Sequence, residues 1–428
     1  MTLALPSAEQ QVVLNHLLTT NDHTFITGKA GTGKSHILKW FKRKTKKKIL
    51  ISAATGVAAL GVDGRTIHRL LGLGTSTPAD MYTDHEKIRY THHWLHEYDI
   101  LVIDEISMVS SDLMDAIDRV LREIRRDESP FGGMQIVMFG DPYQLPPVVT
   151  DEFRKYLNNR KYRSEWFFDA KVWSKAKFDT FQLDEIQRQK GDAIFTDLLN
   201  AVRDGSLTEQ QLYMLNYVGH LNVPSEKSLL LAGYNKTVAA RNAANLRELP
   251  GKVYTYMAKV SKGFGFDEPA EREIQLKPGA RVLMLTNDRE DRWVNGTPAK
   301  VITCTDDGWI TVEIGEGPYA ERYNISYYSW VPSDTPPENY ALAPKYSQLP
   351  VKLAWAVTIH KSQGMSLPEI EVDLGNGAFS PGQTYVALSR VETADGLHLR
   401  TPLSMSDIKV DKNVARFFKG VSKVKTLV

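Results

Sequence analysis

The stretch Gly28-Lys29-Ala30-Gly31-Thr32-Gly33-Lys34-Ser35 decides how this chain is read. It fits the pattern G-x-x-x-x-G-K-[ST], with the β-rich His23-Thr24-Phe25-Ile26-Thr27 before it and the helical Ser35-His36-Ile37-Leu38-Lys39-Trp40-Phe41 after it. Gly28, Gly31 and Gly33, with Thr32 between the last two, let backbone N–H groups crowd around phosphates, and the helix N-terminus adds its dipole. Lys34 is placed to reach the β/γ-phosphates and Ser35 to hold Mg²⁺. A strand, a loop and a helix in this order imply an α/β fold that binds a nucleoside triphosphate.

A second segment tests the first. Asp99-Ile100-Leu101-Val102-Ile103-Asp104-Glu105 is a short buried strand that delivers two carboxylates at its carboxyl end, where an open α/β sheet binds its ligand. Asp104 can hold Mg²⁺, and Glu105, one residue on, can orient or deprotonate an attacking water, so hydrolysis rather than binding alone is expected.

With 428 residues, 42% of them hydrophobic, the chain can bury substantial cores and form two or three domains. Lys plus Arg total 53 against 51 Asp plus Glu, so net charge alone makes no case for nucleic acid. The cationic run Lys42-Arg43-Lys44 and Lys46-Lys47-Lys48 closes a helix, where it either suits the dipole or contacts nucleic acid. Cys304 stands alone, which excludes an intrachain disulfide and a multi-cysteine metal site. His92 and His96 share a face if helical and, with His93, suggest a metal cluster or a solvated polar face; no carboxylate follows in the zincin pattern. No apolar run approaches the ~20 residues of a membrane span, and Met1 to Gln10 lacks the regions of a signal peptide, so a cytoplasmic location is expected.

Residues 1–180 alternate short apolar strands with helical patterns, a first parallel-sheet domain with a small excursion at about 65–98. A second α/β domain is expected over 181–428, interrupted at about 255–345 by a compact β insert, barrel-like, with turns at Asn295-Gly296 and Asp307-Gly308. The basic tail from Asp407 reads as mobile. After the strand Gln135 to Phe139 comes Gly140-Asp141-Pro142-Tyr143-Gln144-Leu145-Pro146-Pro147-Val148, which puts Gln144 on the same sheet edge as Asp104, in reach of a γ-phosphate.

The motifs taken in order resemble superfamily 1 helicases: Gln10, the phosphate loop, Thr55-Gly56-Val57-Ala58-Ala59, Gly64-Arg65-Thr66-Ile67-His68, Asp104-Glu105-Ile106-Ser107 and Gly140 to Val148. Leu183-Asp184-Glu185-Ile186-Gln187-Arg188-Gln189, Thr358-Ile359-His360-Lys361-Ser362-Gln363-Gly364 and Tyr385-Val386-Ala387-Leu388-Ser389-Arg390 continue the series. Helical Asp112 to Arg125 followed by Pro130-Phe131-Gly132-Gly133 is similar to the signature region of the PIF (petite integration frequency) family, and the resemblance covers residues from about 5 to 400.

That resemblance implies two RecA-like parallel-sheet domains with ATP and Mg²⁺ between them and single-stranded DNA across their top. It implies 5′ to 3′ translocation and unwinding of forked duplex DNA, with G-quadruplexes as further substrates, roles in repair and recombination, no membrane partner and a monomer. By position, Gln10 would read adenine; Gly28, Gly31, Thr32, Gly33, Lys34, Ser35, Gln363 and Gly364 would surround the nucleotide; and Ser35 and Asp104 would hold the metal. Glu105 and Gln144 would face water and γ-phosphate, and Arg188 and Arg390 would be arginine fingers. Thr55, Gly56, Thr66, His68, Thr358 and His360 would face the DNA. Fingers supplied across a cleft stabilise transition-state charge only when the cleft shuts, which couples hydrolysis to domain motion. A motor subunit of a larger recombination or conjugation complex is the alternative, or a nucleotide-gated single-strand clamp, which would not need the full hydrolytic set. The segment from His68 to Tyr98 matches no pattern, so the residue that separates the strands is not identified.

Overall fold

The computed structural model describes residues 4–54, 59, 62, 64–71, 73, 92–186, 191–221, 223–226, 228–264, 268–288, 290, 292–293, 295–315, 317–331 and 341–420. Its first sheet contains β1 (Thr24–Gly28), β2 (Ile49–Ala53), β3 (Arg65–Thr66), β4 (Ile100–Asp104), β5 (Gln135–Phe139) and β6 (Asp179–Leu183). All pairings are parallel, in the order β3-β2-β4-β5-β1-β6. Strands β1, β4 and β5 are buried along their whole length, as the central strands of a sheet covered on both faces must be.

Alternation along those strands feeds two cores. Ile26, Val102, Val137 and Phe139 point to the helices Ala8–Thr19 and Lys34–Lys44, where Val13, Leu17, Ile37 and Phe41 meet them. Phe25, Leu101, Ile103, Ile136 and Met138 point the other way, onto Met114, Ile117 and Leu121 of the helix Ser111–Arg125. The order in which strands are laid down reverses about β1, since the connection from β1 crosses β5 and β4 to reach β2 while β6 is added on its other side, and this opens a crevice at the carboxyl ends of the strands.

Strand β6 carries the first sheet to Leu183, slightly past the boundary expected at 180. The second domain has a parallel sheet in the order Ala356–Thr358, Leu229–Ala232, Ile370–Asp373, Leu397–Leu399. Between the first two of these in sequence lies the β insert. Its described strands form three antiparallel sheets, the largest running Glu321–Ile325, Ile310–Ile314, Pro298–Cys304, Arg281–Met284, Val351–Leu353. They share a core of Val282, Met284, Val301, Ile310, Val312 and Val351, and the pairing does not run on from the last strand to the first. At the turn before Ile310, Gly308 sits at φ 95°, and a Cβ there would lie 2.9 Å from the Tyr327 ring.

The basic tail departs from expectation. Val414, Phe417 and Phe418, spaced as one face of the helix Lys412–Gly420, dock on the core of the first domain, with Phe417 stacked on Phe168 at 4.3 Å between centroids. Trp166 Nε1 donates to Asp411 at 3.0 Å, and Arg416 pairs with Asp169 at 2.8 Å. Among the described residues no helix is long and apolar enough to cross a membrane.

Candidate active site and nucleic-acid interface

The phosphate loop leaves β1 through Gly28, where a Cβ would sit 2.6 Å from the Leu183 carbonyl of β6. Gly31 and Gly33 take left-handed backbone at φ 81° and 84°. A Cβ on Gly33 would meet Gln10 Nε2 at 2.3 Å, because Gln10 lies on the loop's shoulder, donating to the Thr32 carbonyl at 3.0 Å. Its Oε1 accepts from Ser7 N at 3.1 Å, so the capping box of the first helix fixes the glutamine. Thr32 Oγ1 donates to the Lys29 carbonyl, and Ser35 lies in the first turn of the following helix.

Lys34 Nζ turns beneath the loop and donates to the carbonyls of Gly28 at 2.7 Å and Lys29 at 3.0 Å. Desolvation beneath the loop lowers its pKa, opposed chiefly by the charges of Asp141 and Glu105. Asp104 ends β4, and Glu105 follows in left-handed backbone at φ 50°, its N–H donating to Asp104 Oδ1 at 3.0 Å. Burial, then the charge of Glu105, pushes the Asp104 carboxyl up to about 7, against the pull of Lys34. Two adjoining acids, one of them pushed toward its neutral form by burial and by its neighbour's charge, fit a divalent cation in their chemistry.

The second domain completes this edge. Gln363 Nε2 donates to Glu105 Oε2 at 2.9 Å and to Gln144 Oε1 at 3.1 Å, while Gln363 Oε1 is buried with no hydrogen-bond partner among the described residues. Gly364 takes φ 83°, with a Cβ position 3.9 Å from Glu105 Oε1. The loop N–H of Ala30 donates to Tyr385 Oη at 2.7 Å. Asp141, which follows β5, forms a bidentate pair with Arg203 at the end of the helix Ala193–Asp204, at 2.9 and 2.8 Å and wholly buried. The Arg203 guanidinium also lies over the Tyr143 ring at 4.2 Å, and Tyr143 stacks on Phe418 at 5.4 Å. The sequence pattern gives Arg203 and Tyr385 no role of their own; their places depend on contacts between domains, which no local pattern records.

Lys34, Asp104, Glu105, Gln144, Gln363 and Gly364 therefore lie together at this edge. Arg390 is arranged differently. Its guanidinium is buried inside the second domain, donating to the carbonyls of Val386, Met365 and Ser362 and to Ser389 Oγ at 2.8–3.3 Å. In this state it braces the segment that carries Gln363 and Gly364. Arg188, Thr55 and Gly56 lie outside the described residues.

The DNA-side candidates fall at strand ends on both sheets. Thr66 closes β3, paired with Ala53, and His68 follows in the turn Ile67–Leu70. Thr358 closes its strand and its hydroxyl accepts from Lys361 N at 3.4 Å. His360 stacks on Phe379 at 6.1 Å, and burial lowers its pKa. The cationic run after residue 41 lies elsewhere: Lys47 bonds to Thr20 O, Asn21 Oδ1 and Gln135 Oε1 at the amino ends of the strands, so its role there is to tie helix to sheet. His93–Glu97 is a 3-10 helix, which does not stack His92 over His96.

A PIF1-like helicase family model matches residues 6–212. The chain is 34% identical to the ATP-dependent DNA helicase Pif1 of Bdellovibrio bacteriovorus, over 96% of this chain and 91% of that protein. It is 33% identical to the ATP-dependent DNA helicase PIF1 of Danio rerio over 99% of this chain, and spans 65% of that relative's length. Its fold matches the Pif1 helicase from Bacteroides in complex with ADP-AlF3 and single-stranded DNA with a TM-score of 0.76 and 31% identity, covering 98% of this chain and 97% of the other.

Proposed function

The chain belongs to the PIF1-like helicase family, and on that premise we propose that it is an ATP-dependent DNA helicase that moves 5′ to 3′ along single-stranded DNA and opens forked duplexes. G-quadruplexes are a further substrate under this reading, and the motor acts as a monomer. The observation that carries it is the bridge from Gln363 to Glu105 and Gln144: a residue of the second domain holds both groups that would face the reacting phosphate and water.

Bound ATP with Mg²⁺ would supply the phosphoryl group and the charge that activates it. Gly31, Gly33 and Lys34 would cradle phosphates, Ser35 and Asp104 would hold the metal, and Gln10 would lie beside the base. Glu105 would orient and deprotonate water, and Gln144 would sense the terminal phosphate. Arg188 and Arg390 would be the arginine fingers, and Arg390 must first exchange its carbonyl partners for phosphate oxygens. Thr55, Gly56, Thr66 and His68 on one domain, and Thr358 and His360 on the other, would hold the strand. Because Glu105, Gln144 and Gln363 form one hydrogen-bonded set across the cleft, a change at the phosphate alters the contact between domains, and that contact moves the DNA-binding strand ends relative to one another.

The test is unwinding of duplexes with a 5′ or a 3′ tail while ATP turnover is followed. Unwinding of the 5′-tailed substrate with strand-stimulated turnover is expected. A preference for 3′ tails overturns the polarity, and strand binding without stimulated turnover overturns the helicase in favour of a clamp.

A further inference from the structure

The loops leaving the carboxyl ends of three adjacent strands of the second sheet each present one aromatic ring. His360 follows Ala356–Thr358, Tyr234 follows Leu229–Ala232, and Phe379 follows Ile370–Asp373. The rings touch in series. His360 and Phe379 lie 6.1 Å apart at an interplanar angle of 14°, and Phe379 and Tyr234 lie 5.3 Å apart at 42°. Phe379 is 50% exposed and Tyr234 41% exposed, a large apolar area to leave in water on the edge that already carries Thr358.

That exposure does not come from a loose loop. Ala378, next to Phe379, is buried, its N–H donating to Asp407 at 2.9 Å and its carbonyl accepting from Lys409. Phe379 N donates to Gln383 Oε1 at 3.0 Å, and Gln383 is itself fully buried. Gly375 at φ 63° lies against Tyr234, and a Cβ there would come within 3.1 Å of that ring. The fold therefore holds the two rings outward. Exposed Lys236 and Lys361 flank them in sequence, and burial together with the like charge of Lys361 lowers the half-buried Lys352 to about 8, which places a second ammonium near Lys361. Exposed aromatic rings on loops that also carry exposed lysines suit a polyanion that carries flat rings.

We propose that Phe379 and Tyr234, with His360, form a base-stacking platform for single-stranded DNA on the second domain. The proposal rests on the helicase reading above and deepens it, by adding contacts to bases where threonines and lysines contact the backbone. Stacking is tolerant of sequence because every base offers a π-face, and a translocating motor requires that tolerance.

The experiment measures binding of fluorescent oligothymidylate and of a tract of abasic sites of equal length, by anisotropy, to the whole chain and to Phe379→Ala, Tyr234→Ala, Phe379→Leu and Phe379→Trp. The unaltered protein is expected to bind oligothymidylate about 5- to 100-fold more tightly than the abasic tract. Phe379→Ala and Tyr234→Ala should each lose most of that preference while keeping their affinity for the abasic tract, which a misfolded variant would not keep. Trp should restore the preference and Leu should not. An unaltered preference in both alanine variants, or restoration by Leu as full as by Trp, overturns the platform and leaves the helicase standing. Failure of the unaltered protein to bind either strand overturns the helicase reading itself and the platform with it.

Discussion

The Gln363 side-chain amide lies 2.9 Å from Glu105 Oε2 and 3.1 Å from Gln144 Oε1, so one nitrogen of the second domain satisfies two acceptors of the first. Replacing Gln363 by Ala leaves both acceptors with one partner fewer in a buried site. Turnover should fall more than nucleotide affinity. In a double-mutant cycle with Gln144→Ala on kcat, the two losses should fall short of additivity by about 0.5–3 kcal/mol. Strict additivity would mean that the bridge does not act in the reaction.

Glu105→Gln should separate binding from chemistry. ATP and Mg²⁺ remain held through Lys34, Ser35 and Asp104, while removal of a general base costs about 10²- to 10⁴-fold in rate. Equilibrium nucleotide binding and single-turnover hydrolysis read the two separately, and loss of binding would refute the assignment. Lys34→Ala should instead lose hydrolysis and phosphate affinity together while single-strand affinity holds.

The pair of Asp141 and Arg203 is wholly buried between domains. Arg203→Met strands a carboxylate in the interior, a change that costs about 3–5 kcal/mol, whereas Arg203→Met with Asp141→Leu removes both charges and should recover much of the loss. Thermal melting should rank the double variant above either single one. The opposite ranking would show that Asp141 reaches water or another cation when Arg203 is gone.

His23 packs on Phe131 and Phe178, and its Nδ1 accepts from Ile136 N at 3.1 Å. Burial lowers its pKa below 6.5, against the attraction of Asp22 and Asp118. The unfolded chain then takes up the proton more readily than the folded one. Its contribution to stability is present above about pH 6.5 and is lost as the pH falls below that value. His23→Asn, which keeps an acceptor and cannot titrate, should show a smaller fall in melting temperature between about pH 7.5 and 5.5 than the unaltered chain. Equal falls would assign the acid sensitivity to other groups.

What sequence made legible follows the range of the interactions. The phosphate loop and the carboxylates closing β4 are local, because strand, turn and helix set their geometry within a few residues. The sequence also carries the apolar spacing of Val414, Phe417 and Phe418, but the basic residues around it read as a mobile tail. Arg203 ends a helix, where a cation is ordinary, and only Asp141 across the cleft gives it a different role. A motif names Arg390 but not its present partners, since a buried arginine takes whichever acceptors its conformational state offers. Strand β6 is polar and only partly buried, as an edge strand is, so the boundary set at 180 falls inside it.

Phe417 closes over Phe25 and Phe168 in the core of the first domain. On the ribosome, β1 through β6 emerge early, yet the wall supplied by Val414, Phe417 and Phe418 is not synthesised until the whole second domain has been made. The first domain must therefore wait with that apolar face uncovered, exposed to chaperones and to self-association, and the helix Lys412–Gly420 acts as a latch that closes it only after the second domain has been made. A nascent chain halted before residue 412 should remain more open to proteases in its first domain than one halted beyond 420 with the exit tunnel cleared.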